Sequence, residues 1–184
     1  MVIALLASLA MPAQVVETEP HVVFDVQGRG RIQVRLRGDE SPLLVAHFVK
    51  LVNEDFYDGL LFHRKVDGFV IQAGDPKTRG LSPAWARAHP GEYGGTDGYG
   101  DGGSGTTVAY RINNLTHKKY TMGMALEAPM SDTGDSQFFI NLADNFRLNG
   151  LYEVFGEVVS GHEVVDRVER GDRIRQATIV RAPK

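Results

Sequence analysis

Three polar side chains, His63, Arg64 and Gln72, lie in an otherwise apolar stretch that covers residues 56–76. The apolar residues around them could build a core, so a half-buried strand here would bury part of the polar set. Arginine is rarely buried without a partner, and its guanidinium stays charged and presents several donors in a rigid fork. The mixture therefore predicts a working surface with Arg64 as a fixed hydrogen-bond donor.

A second stretch of the same character surrounds Phe139. If it is a strand, the two-residue period places Phe138 and Ile140 on a core face. The same period places Gln137, Phe139 and Asn141 on the opposite face. An aromatic side chain on a polar face costs solubility unless something contacts it. Two interpretations remain open: Phe139 lines a pocket, or a loop or helix covers it.

Several separated motifs occur along the chain in a fixed order. They are Phe62-His63-Arg64, Gly68 to Gln72, Gly74-Asp75, Met124-Ala125, Ser136 to Ile140 and Val154-Phe155-Gly156. Together they resemble the cyclophilin-type peptidyl-prolyl cis-trans isomerases of bacteria, over nearly the whole chain. The resemblance implies a mainly β fold, a closed eight-stranded antiparallel β-barrel capped by two α-helices. It also implies isomerase activity on proline-containing polypeptides, with no cofactor.

The implied reaction explains why a fixed donor is needed. Rotation about a peptide bond has a barrier of about 18–20 kcal/mol because the amide is stabilised by resonance. A catalyst must weaken that resonance in the transition state, and no nucleophile or metal is required. An apolar slot for the proline ring and a donor beside the twisted amide are sufficient.

The resemblance implies a role for each site residue. Arg64 is the donor, and Phe69 and Gln72 complete the catalytic set, with Gln72 binding the substrate backbone or steadying Arg64. The other implied residues form the proline slot, border the peptide groove or lie beside it; they are His63, Val70, Ala125, Leu126, Gln137, Phe139, Phe146, Leu148 and Tyr152.

Three positions depart from the commonest family pattern. Val70 stands in place of methionine, Arg147 in place of tryptophan and Tyr152 in place of histidine. A one-residue shift could bring the ring of Phe146 to the position of the missing tryptophan. These changes are expected to alter the shape of the pocket.

Length and composition are those of one globular domain, with 184 residues of which 42% are hydrophobic. The net charge is −3 and no run of Lys or Arg occurs, so neither a nucleic-acid nor an anionic-membrane partner is expected. The absence of cysteine excludes disulfides and thiolate chemistry. The six histidines are scattered without metal-site spacing, and no metal site is expected. A monomer is the default expectation.

An apolar run covers residues 2–13 and is too short to span a bilayer as a helix. It is similar to the hydrophobic part of an export signal, and Ser8-Leu9-Ala10 supplies a small-x-small cleavage pattern. This interpretation makes residues 1–15 the signal of an exported, periplasmic protein, without stable membrane insertion. No basic residue precedes the run, so an ordinary apolar segment of a cytoplasmic protein remains the alternative. Residues 16–184 are expected to form the isomerase domain.

Short elements must position the site. Alternating apolar and charged residues over 21–37 predict a β-hairpin, and Ser41-Pro42 predicts the start of an amphipathic helix. Ser160 to Glu163 has the form of a capping box that opens a second helix. Further strands are expected at residues 106–114, 120–126, 136–142, 151–159 and 174–179. The pattern fits a barrel plugged by helices, although it does not separate a barrel from a sandwich.

The least regular part of the chain, residues 77–105, is a glycine-rich insertion relative to the shortest family members. A structureless segment is expected, and segments of this length are usually functional or mobile. Its glycine run at 98–103 is similar to a phosphate-binding loop, but no strand precedes it and no helix follows it. The sequence assigns the insertion no role.

Two other functions compete with catalysis of proline isomerisation. A non-catalytic module of the same fold would bind proline-containing segments without accelerating rotation, and the retained Arg64 argues against it. A hydrolase is suggested by Gly134-Asp135-Ser136 with a histidine such as His63. That tripeptide is short and frequent by chance, so the isomerase interpretation is preferred.

Overall fold

A computed structural model describes residues 18–89 and 98–183 of the chain. The strands are β1 (Thr18–Val26), β2 (Gly30–Leu36), β3 (Arg64–Val66), β4 (Val70–Ala73), β5 (Thr121–Met124), β6 (Phe138–Asn141), β7 (Val154–Ser160) and β8 (Ile174–Pro183). The helices are α1 (Pro42–Asn53), α2 (Pro83–Ala88) and α3 (His162–Arg167), with 3-10 turns at Pro76–Thr78 and Phe146–Leu148.

All eight strands belong to one antiparallel sheet with the order β3-β4-β6-β5-β7-β2-β1-β8. The sheet curls into an open half-barrel, and β3 and β8 are its edges. The predicted mainly β, eight-stranded antiparallel fold is confirmed. The predicted closure of the barrel is not confirmed, since no ladder joins β3 to β8 within the described residues. One isolated bridge, between Leu61 and Arg173, lies where these edges approach.

The first hairpin shows how alternation builds the core. In β1 the side chains of Val22 and Phe24 are fully buried, as are those of Ile32 and Val34 in β2. The residues between them face outward, and Arg35 forms an exposed ion pair with a glutamate of β7. The predicted antiparallel hairpin with one wet face is confirmed.

Helix α1 begins at the proline predicted for its first turn, and its apolar face lies in the core. Ser41 occupies the N-cap position, but its hydroxyl makes no capping hydrogen bond. It donates instead to the carbonyl of Val154 in β7, at 3.1 Å. Ser41 therefore ties the start of α1 to the sheet.

Phe138 in β6 lies at the centre of the aromatic core. Its ring stacks on Phe24 at a centroid distance of 5.1 Å and meets Phe48, Tyr57 and Phe62 edge-on at 5.7–6.5 Å. Because side chains alternate along a strand, this fixed inward position turns the neighbours of Phe138 to the opposite face. The core thereby directs Phe139 to the face that carries the candidate site.

Two predicted local structures are wrong. The capping box of Ser160 and Glu163 does not form, because Gly161 is the N-cap of α3 in the left-handed conformation, with φ 85° and no side-chain cap. The strand expected at 106–114 is reduced to one bridge, between Val108 and Gly134.

Side-chain carboxylates replace a partner strand in that segment. The backbone N–H of Tyr110 donates to Asp132 at 2.8 Å, and that of Arg111 donates to Glu153 at 3.1 Å. A strand needs its backbone groups for a ladder, so these bonds keep the segment irregular.

The insertion is not structureless, contrary to expectation, since α2 and the turn at Pro76–Thr78 lie within or beside it. Asp172, buried in the loop before β8, holds α2 to the barrel by accepting from Arg87 at 3.2 Å. Arg29 of the first hairpin donates to the same carboxylate at 2.7 Å.

Within residues 18–89 and 98–183, no helix is long and apolar enough to cross a membrane. The same residues contain no group of three or more metal-ligating side chains of the His, Cys, Asp or Glu types. The predicted export signal lies outside the described residues.

Candidate active site

Strands β3 and β4 form a tight hairpin that sets the register of the site. Arg64 pairs with Gln72 and Val66 pairs with Val70. At the turn, the N–H of Phe69 donates to the carbonyl of Val66 at 3.0 Å. Residues that pair across an antiparallel ladder share a face, so Arg64, Val70 and Gln72 point the same way.

Strand β6 adds the floor of the site because it pairs with β4. Gln72 lies opposite Phe139 in this ladder. On the other side of β6, Gly123 of β5 lies opposite Phe139, and a Cβ at Gly123 would come within 2.6 Å of the Phe139 ring. The absence of a side chain at Gly123 leaves the space that the ring occupies.

These strands and two loops enclose a cavity of about 270 Å³. Phe139 contributes to its wall and is only 5% exposed. The full lining is Arg64, Phe69, Val70, Gln72, Ala125, Leu126, Glu127, Phe139, Leu148 and Tyr152. Six of these side chains are apolar, and the polar ones are those of Arg64, Gln72, Glu127 and Tyr152.

The guanidinium of Arg64 is held at the edge of this cavity. Its Nη1 donates to Oε1 of Gln72 at 3.3 Å, and its Cζ lies 5.9 Å from the centre of the Phe69 ring. The guanidinium of Arg147 lies 4.6 Å from the same ring, so two cations contact Phe69. Burial lowers the pKa of Arg64, but arginine remains charged at any physiological pH. The site therefore presents a fixed positive donor.

His117, which the sequence did not indicate, supports the ring of Phe139. The two rings stack at 5.6 Å, and Tyr152 meets Phe139 edge-on at 6.0 Å. The Nε2 of His117 lies 3.1 Å from the carbonyl of Tyr152, and Asn141 lies 3.2 Å from Nδ1. A carbonyl can only accept, so Nε2 carries the hydrogen and Nδ1 accepts from Asn141. Burial lowers the pKa of His117, which favours this neutral form.

Three of the predicted site residues do not line the cavity. His63 is 2% exposed and lies behind β3, and within the described residues neither of its ring nitrogens has a hydrogen-bond partner. Burial lowers the pKa of His63 to about 4, although the nearby Asp75 opposes the shift. Phe146 is 51% exposed and its ring does not replace the family tryptophan in the lining.

Gln137, the third, is engaged inside the protein. Its Oε1 accepts from Gln72 at 2.8 Å, and its Nε2 donates to the carbonyls of Gly102 and Gly100 at 2.8 and 3.1 Å. It lines a second cavity of about 150 Å³, which shares Ala125, Leu126 and Glu127 with the first.

The sequence also missed Glu127, which lines both cavities. No motif indicated it, because its position depends on how the loop after β5 folds back. The hydrolase hypothesis loses support, since Ser136 is fully buried and its hydroxyl donates to the carbonyl of Gly74 at 2.8 Å.

Comparison with known proteins identifies the family of the chain. A family model described as cyclophilin type peptidyl-prolyl cis-trans isomerase/CLD matches residues 21–183. The chain is 33% identical over 156 residues to peptidyl-prolyl cis-trans isomerase B of Bacillus subtilis, covering 85% of this chain and 95% of that protein. It is 31% identical over 177 residues to a probable peptidyl-prolyl cis-trans isomerase of Brucella suis, covering 96% and 85%.

Solved structures agree on the fold. A crystal structure of a cyclophilin type peptidyl-prolyl cis-trans isomerase of Cryptosporidium parvum superposes with a TM-score of 0.69 at 22% identity, covering 91% of this chain and 99% of that chain. A second structure of it, obtained in the presence of the dipeptide Ala-Pro, superposes with a TM-score of 0.67 at 23% identity, covering 89% and 99%. The predicted family and enzyme class are confirmed at the level of the family. The chain belongs to the cyclophilin-type peptidyl-prolyl cis-trans isomerases.

Proposed function

We propose that the protein catalyses rotation about Xaa–Pro peptide bonds in the cavity beside Arg64. The observation that carries this proposal is a hydrogen-bonded guanidinium at the edge of an apolar cavity walled by Phe139. The two curated relatives are named as isomerases of this type, and the Cryptosporidium protein was crystallised with a proline-containing dipeptide. Proline-containing polypeptides are therefore the proposed substrates.

The apolar wall binds the proline ring. Val70, Phe139 and Leu148 offer side chains without donors or acceptors, and the cavity of about 270 Å³ is small. Sites for drug-sized ligands typically measure about 300–1,000 Å³, so this cavity lies just below that range and has room for a proline ring. Burying a single apolar ring here would fix the position of the bond that precedes it.

The polar wall lowers the barrier. As the peptide bond twists, the prolyl nitrogen loses its resonance with the carbonyl and becomes pyramidal, with a lone pair that can accept a hydrogen bond. A guanidinium N–H of Arg64 donates to that nitrogen, an interaction that is absent in the planar ground state. Because it stabilises the transition state selectively, it accelerates rotation.

Gln72 and Phe69 hold the donor in place. Gln72 accepts one N–H of Arg64, which leaves the other donors of the fork for the substrate. The Phe69 ring lies beside the same guanidinium and restricts its movement. Both residues thus act on the orientation of Arg64, and Ala125 and Leu126 border the groove for the peptide backbone.

The proposal is tested by measuring cis-to-trans interconversion of a short Xaa-Pro peptide by exchange spectroscopy. The wild type should accelerate rotation, Arg64→Ala should keep only a small residual acceleration after a loss of about 10²–10³-fold, and both should bind the peptide. Arg181→Ala, at an exposed arginine of β8, is the matched control and should retain the wild-type rate. Peptide binding without acceleration by the wild type would replace catalysis with the alternative, a non-catalytic binding module.

We also propose that the barrel is closed by backbone pairing outside the named strands. Residues 59–62 and 171–174 are linked by four hydrogen bonds, each 2.8 Å long, from the N–H groups of Gly59, Phe62, Gly171 and Ile174. These bonds support closure of the gap between β3 and β8. Slow amide exchange at Phe62 and Ile174 would support it, and rapid exchange at both would contradict it.

Three further proposals follow from the sequence. Residues 16–184 form one isomerase domain, the protein acts as a monomer, and it is exported to the periplasm. Export rests on the apolar run at residues 2–13 and its small-x-small pattern. Light scattering on the purified protein tests the monomer, and N-terminal sequencing after cell fractionation tests export and cleavage.

A further inference from the structure

A chain of side-chain hydrogen bonds connects Arg64 to the glycine-rich part of the insertion. Arg64 donates to Oε1 of Gln72 at 3.3 Å, and Nε2 of Gln72 donates to Oε1 of Gln137 at 2.8 Å. Nε2 of Gln137 then donates to the carbonyls of Gly102 and Gly100. The proposed catalytic donor is thus tied to a loop that does not line its cavity.

The loop fixes the direction of every bond in this chain. Backbone carbonyls only accept, so the amino group of Gln137 must face the two glycines. Its carbonyl oxygen then faces Gln72, which has to present its own amino group in return. Gln72 consequently presents its carbonyl oxygen to Arg64, and this is the only end of the amide that can accept from a guanidinium. Without the loop, either amide could flip.

Two carboxylates hold the loop on either side of Gly102. Asp75 is fully buried and accepts from the N–H of Gly100. Asp135 accepts from the N–H of Ser104 at 2.8 Å. A Cβ at Gly102 would overlap the carboxylate of Asp75, so only glycine fits there. The loop is a fixed reference for Gln137.

We propose that Gln137 is a positioning residue through which Gly100 and Gly102 orient Gln72 and Arg64 for isomerisation. The inference rests on the proposed isomerase function and gives the insertion a role in the rate. It also moves Gln137 from the predicted substrate contact to an internal role, because its amino group and its carbonyl are both engaged within the protein.

The role predicts a loss of rate without a loss of affinity. Gln137 does not line the cavity beside Arg64, so its replacement leaves the slot for proline intact. A flipped Gln72 would turn its amino group toward the guanidinium and push it away. Misplacing a catalytic group by about 1 Å can cost about 10²-fold in rate, so a loss of about 10- to 100-fold in kcat is expected.

The first test uses Gln137→Glu, which keeps the size of the side chain and an acceptor for Gln72 but has no donor for the glycine carbonyls. Gln176→Glu makes the same chemical change at an exposed position of β8 and is the matched control. The kcat for an Xaa-Pro peptide should fall for Gln137→Glu while the peptide Kd stays within about two-fold. The control should match the wild type in both.

The second test changes the loop and leaves all the side chains of the relay in place. Gly102→Ala should displace the loop from Asp75 and reproduce the loss of kcat. Gly80 lies in the same insertion, and a Cβ there would meet nothing within 4 Å. Gly80→Ala is therefore the matched control and should have no effect. Circular dichroism and melting curves of all four variants check that each one folds.

Two readouts separate positioning from a general structural role. In the substrate-free protein, the side-chain amide resonances of Gln72 and the Nε–H resonance of Arg64 should shift in Gln137→Glu and Gly102→Ala, and in neither control. In an Arg64→Ala background, adding Gln137→Glu should cause no further loss of rate.

Three results would overturn the inference. The first is a loss of peptide affinity as large as the loss of kcat/KM in Gln137→Glu, which would make Gln137 a substrate contact. The second is an equal further loss of rate in the Arg64→Ala background. The third is an unchanged Gln72 resonance in Gly102→Ala. The Gln72 resonance needs no catalysis, so this third test can be made even if the wild type does not accelerate rotation. Failure of the isomerase proposal and failure of the relay are therefore distinguishable.

Discussion

The cavity has two walls that are built by different interactions. On the polar wall, directional hydrogen bonds run from Arg64 through Gln72 to Gln137. On the apolar wall, Phe139 is held by ring packing against His117 and Tyr152. Directional bonds fix the orientation of a donor, whereas packing fixes a shape. Damage to the polar wall should therefore lower the rate, and damage to the apolar wall should lower the affinity for peptide.

Each wall is backed by one buried histidine, and the two differ in their bonding. His117 uses both ring nitrogens, on Tyr152 and Asn141. His63, behind the polar wall, has no hydrogen-bond partner among the described residues. Burial lowers the pKa of both, to about 4 for His63. His63 is therefore the imidazole that lacks a hydrogen bond among the described residues, and the nearby Asp75 only partly opposes the effect of its burial.

The largest expected effect comes from removing the planar fork on the polar wall. Arg64→Lys keeps the positive charge but loses the rigid pair of donors that serve Gln72 and the substrate together. Loss of one preorganised donor costs about 10²–10³-fold in kcat, so Arg64→Lys should fall close to Arg64→Ala. The peptide Kd should change by less than about two-fold, because the apolar wall is untouched.

Single-turnover rates at saturating peptide measure this effect. Arg35→Lys, on the wet face of β2 with an exposed ion pair, is the control and should leave the rate unchanged. A lysine variant with wild-type kcat would show that charge alone suffices and that the fork has no role.

The next largest effect is a loss of folding stability at acid pH, caused by the burial of His63 next to Arg64. The folded pKa of His63 is about 4 against 6.5 for the free side chain, so below 6.5 the unfolded chain binds a proton that the folded chain does not. The contribution of His63 to the free energy of unfolding is fully present above pH 6.5 and is lost as the pH falls toward 4. At 1.36 kcal/mol per pKa unit, the loss reaches about 3 kcal/mol.

Denaturant unfolding at pH 7.5 and at pH 4.5 tests the assignment to His63. His63→Gln should flatten the pH dependence, whatever its stability at pH 7.5, because it has no proton to take up. His162→Gln, at the partly exposed start of α3, should keep the wild-type slope. An unchanged slope in His63→Gln would assign the acid sensitivity to other groups.

The apolar wall is tested by Gly123→Ala, which pushes the Phe139 ring without changing any side chain of the lining. A Cβ at Gly123 would lie 2.6 Å from the ring, so the ring must move into the cavity. An affinity loss of about tenfold, or ~1.4 kcal/mol, is expected for the proline peptide, with kcat at saturation largely kept.

Titration calorimetry with an Ala-Pro peptide measures the affinity. Phe139→Ala is the companion variant: if the ring is the cause, adding Gly123→Ala to Phe139→Ala should cost no further affinity. A loss confined to kcat would contradict the division of labour between the two walls.

Part of this site could be predicted from the sequence. The two-residue period placed Phe138 and Phe139 on opposite faces, and the structure has Phe138 in the core and Phe139 in the wall of the cavity. These predictions succeed because strand geometry is local and depends only on alternation. The family motifs added the proposed chemistry, and the comparison confirms the family.

The remainder depends on contacts that are distant in the sequence. His117 joins the site by stacking on Phe139, and the glycines at 100 and 102 join it through Gln137. No periodicity encodes such contacts. The failed prediction of a strand at 106–114 has the same origin. The backbone N–H of Arg111 donates to the carboxylate of Glu153, 42 residues away, instead of to a partner strand.

The smallest expected effect is at Glu127, where the two cavities meet. Glu127 is exposed, lies in the lining of both cavities and adds negative charge to a groove that Arg64 also lines. Glu127→Gln should weaken binding of peptides with a lysine next to proline, relative to peptides with a glutamate there. Exposed charge pairs are worth little, so a change of about two- to five-fold in the ratio of Kd values is expected.

The change in the Kd ratio should shrink in 0.5 M salt, since the Debye length falls from about 10 Å at 0.1 M to a few ångströms. Glu163→Gln, at the start of α3 and away from both cavities, is the matched control. A salt-independent change would mean that the substitution alters the shape of the groove, and Glu127 would then belong to the apolar wall.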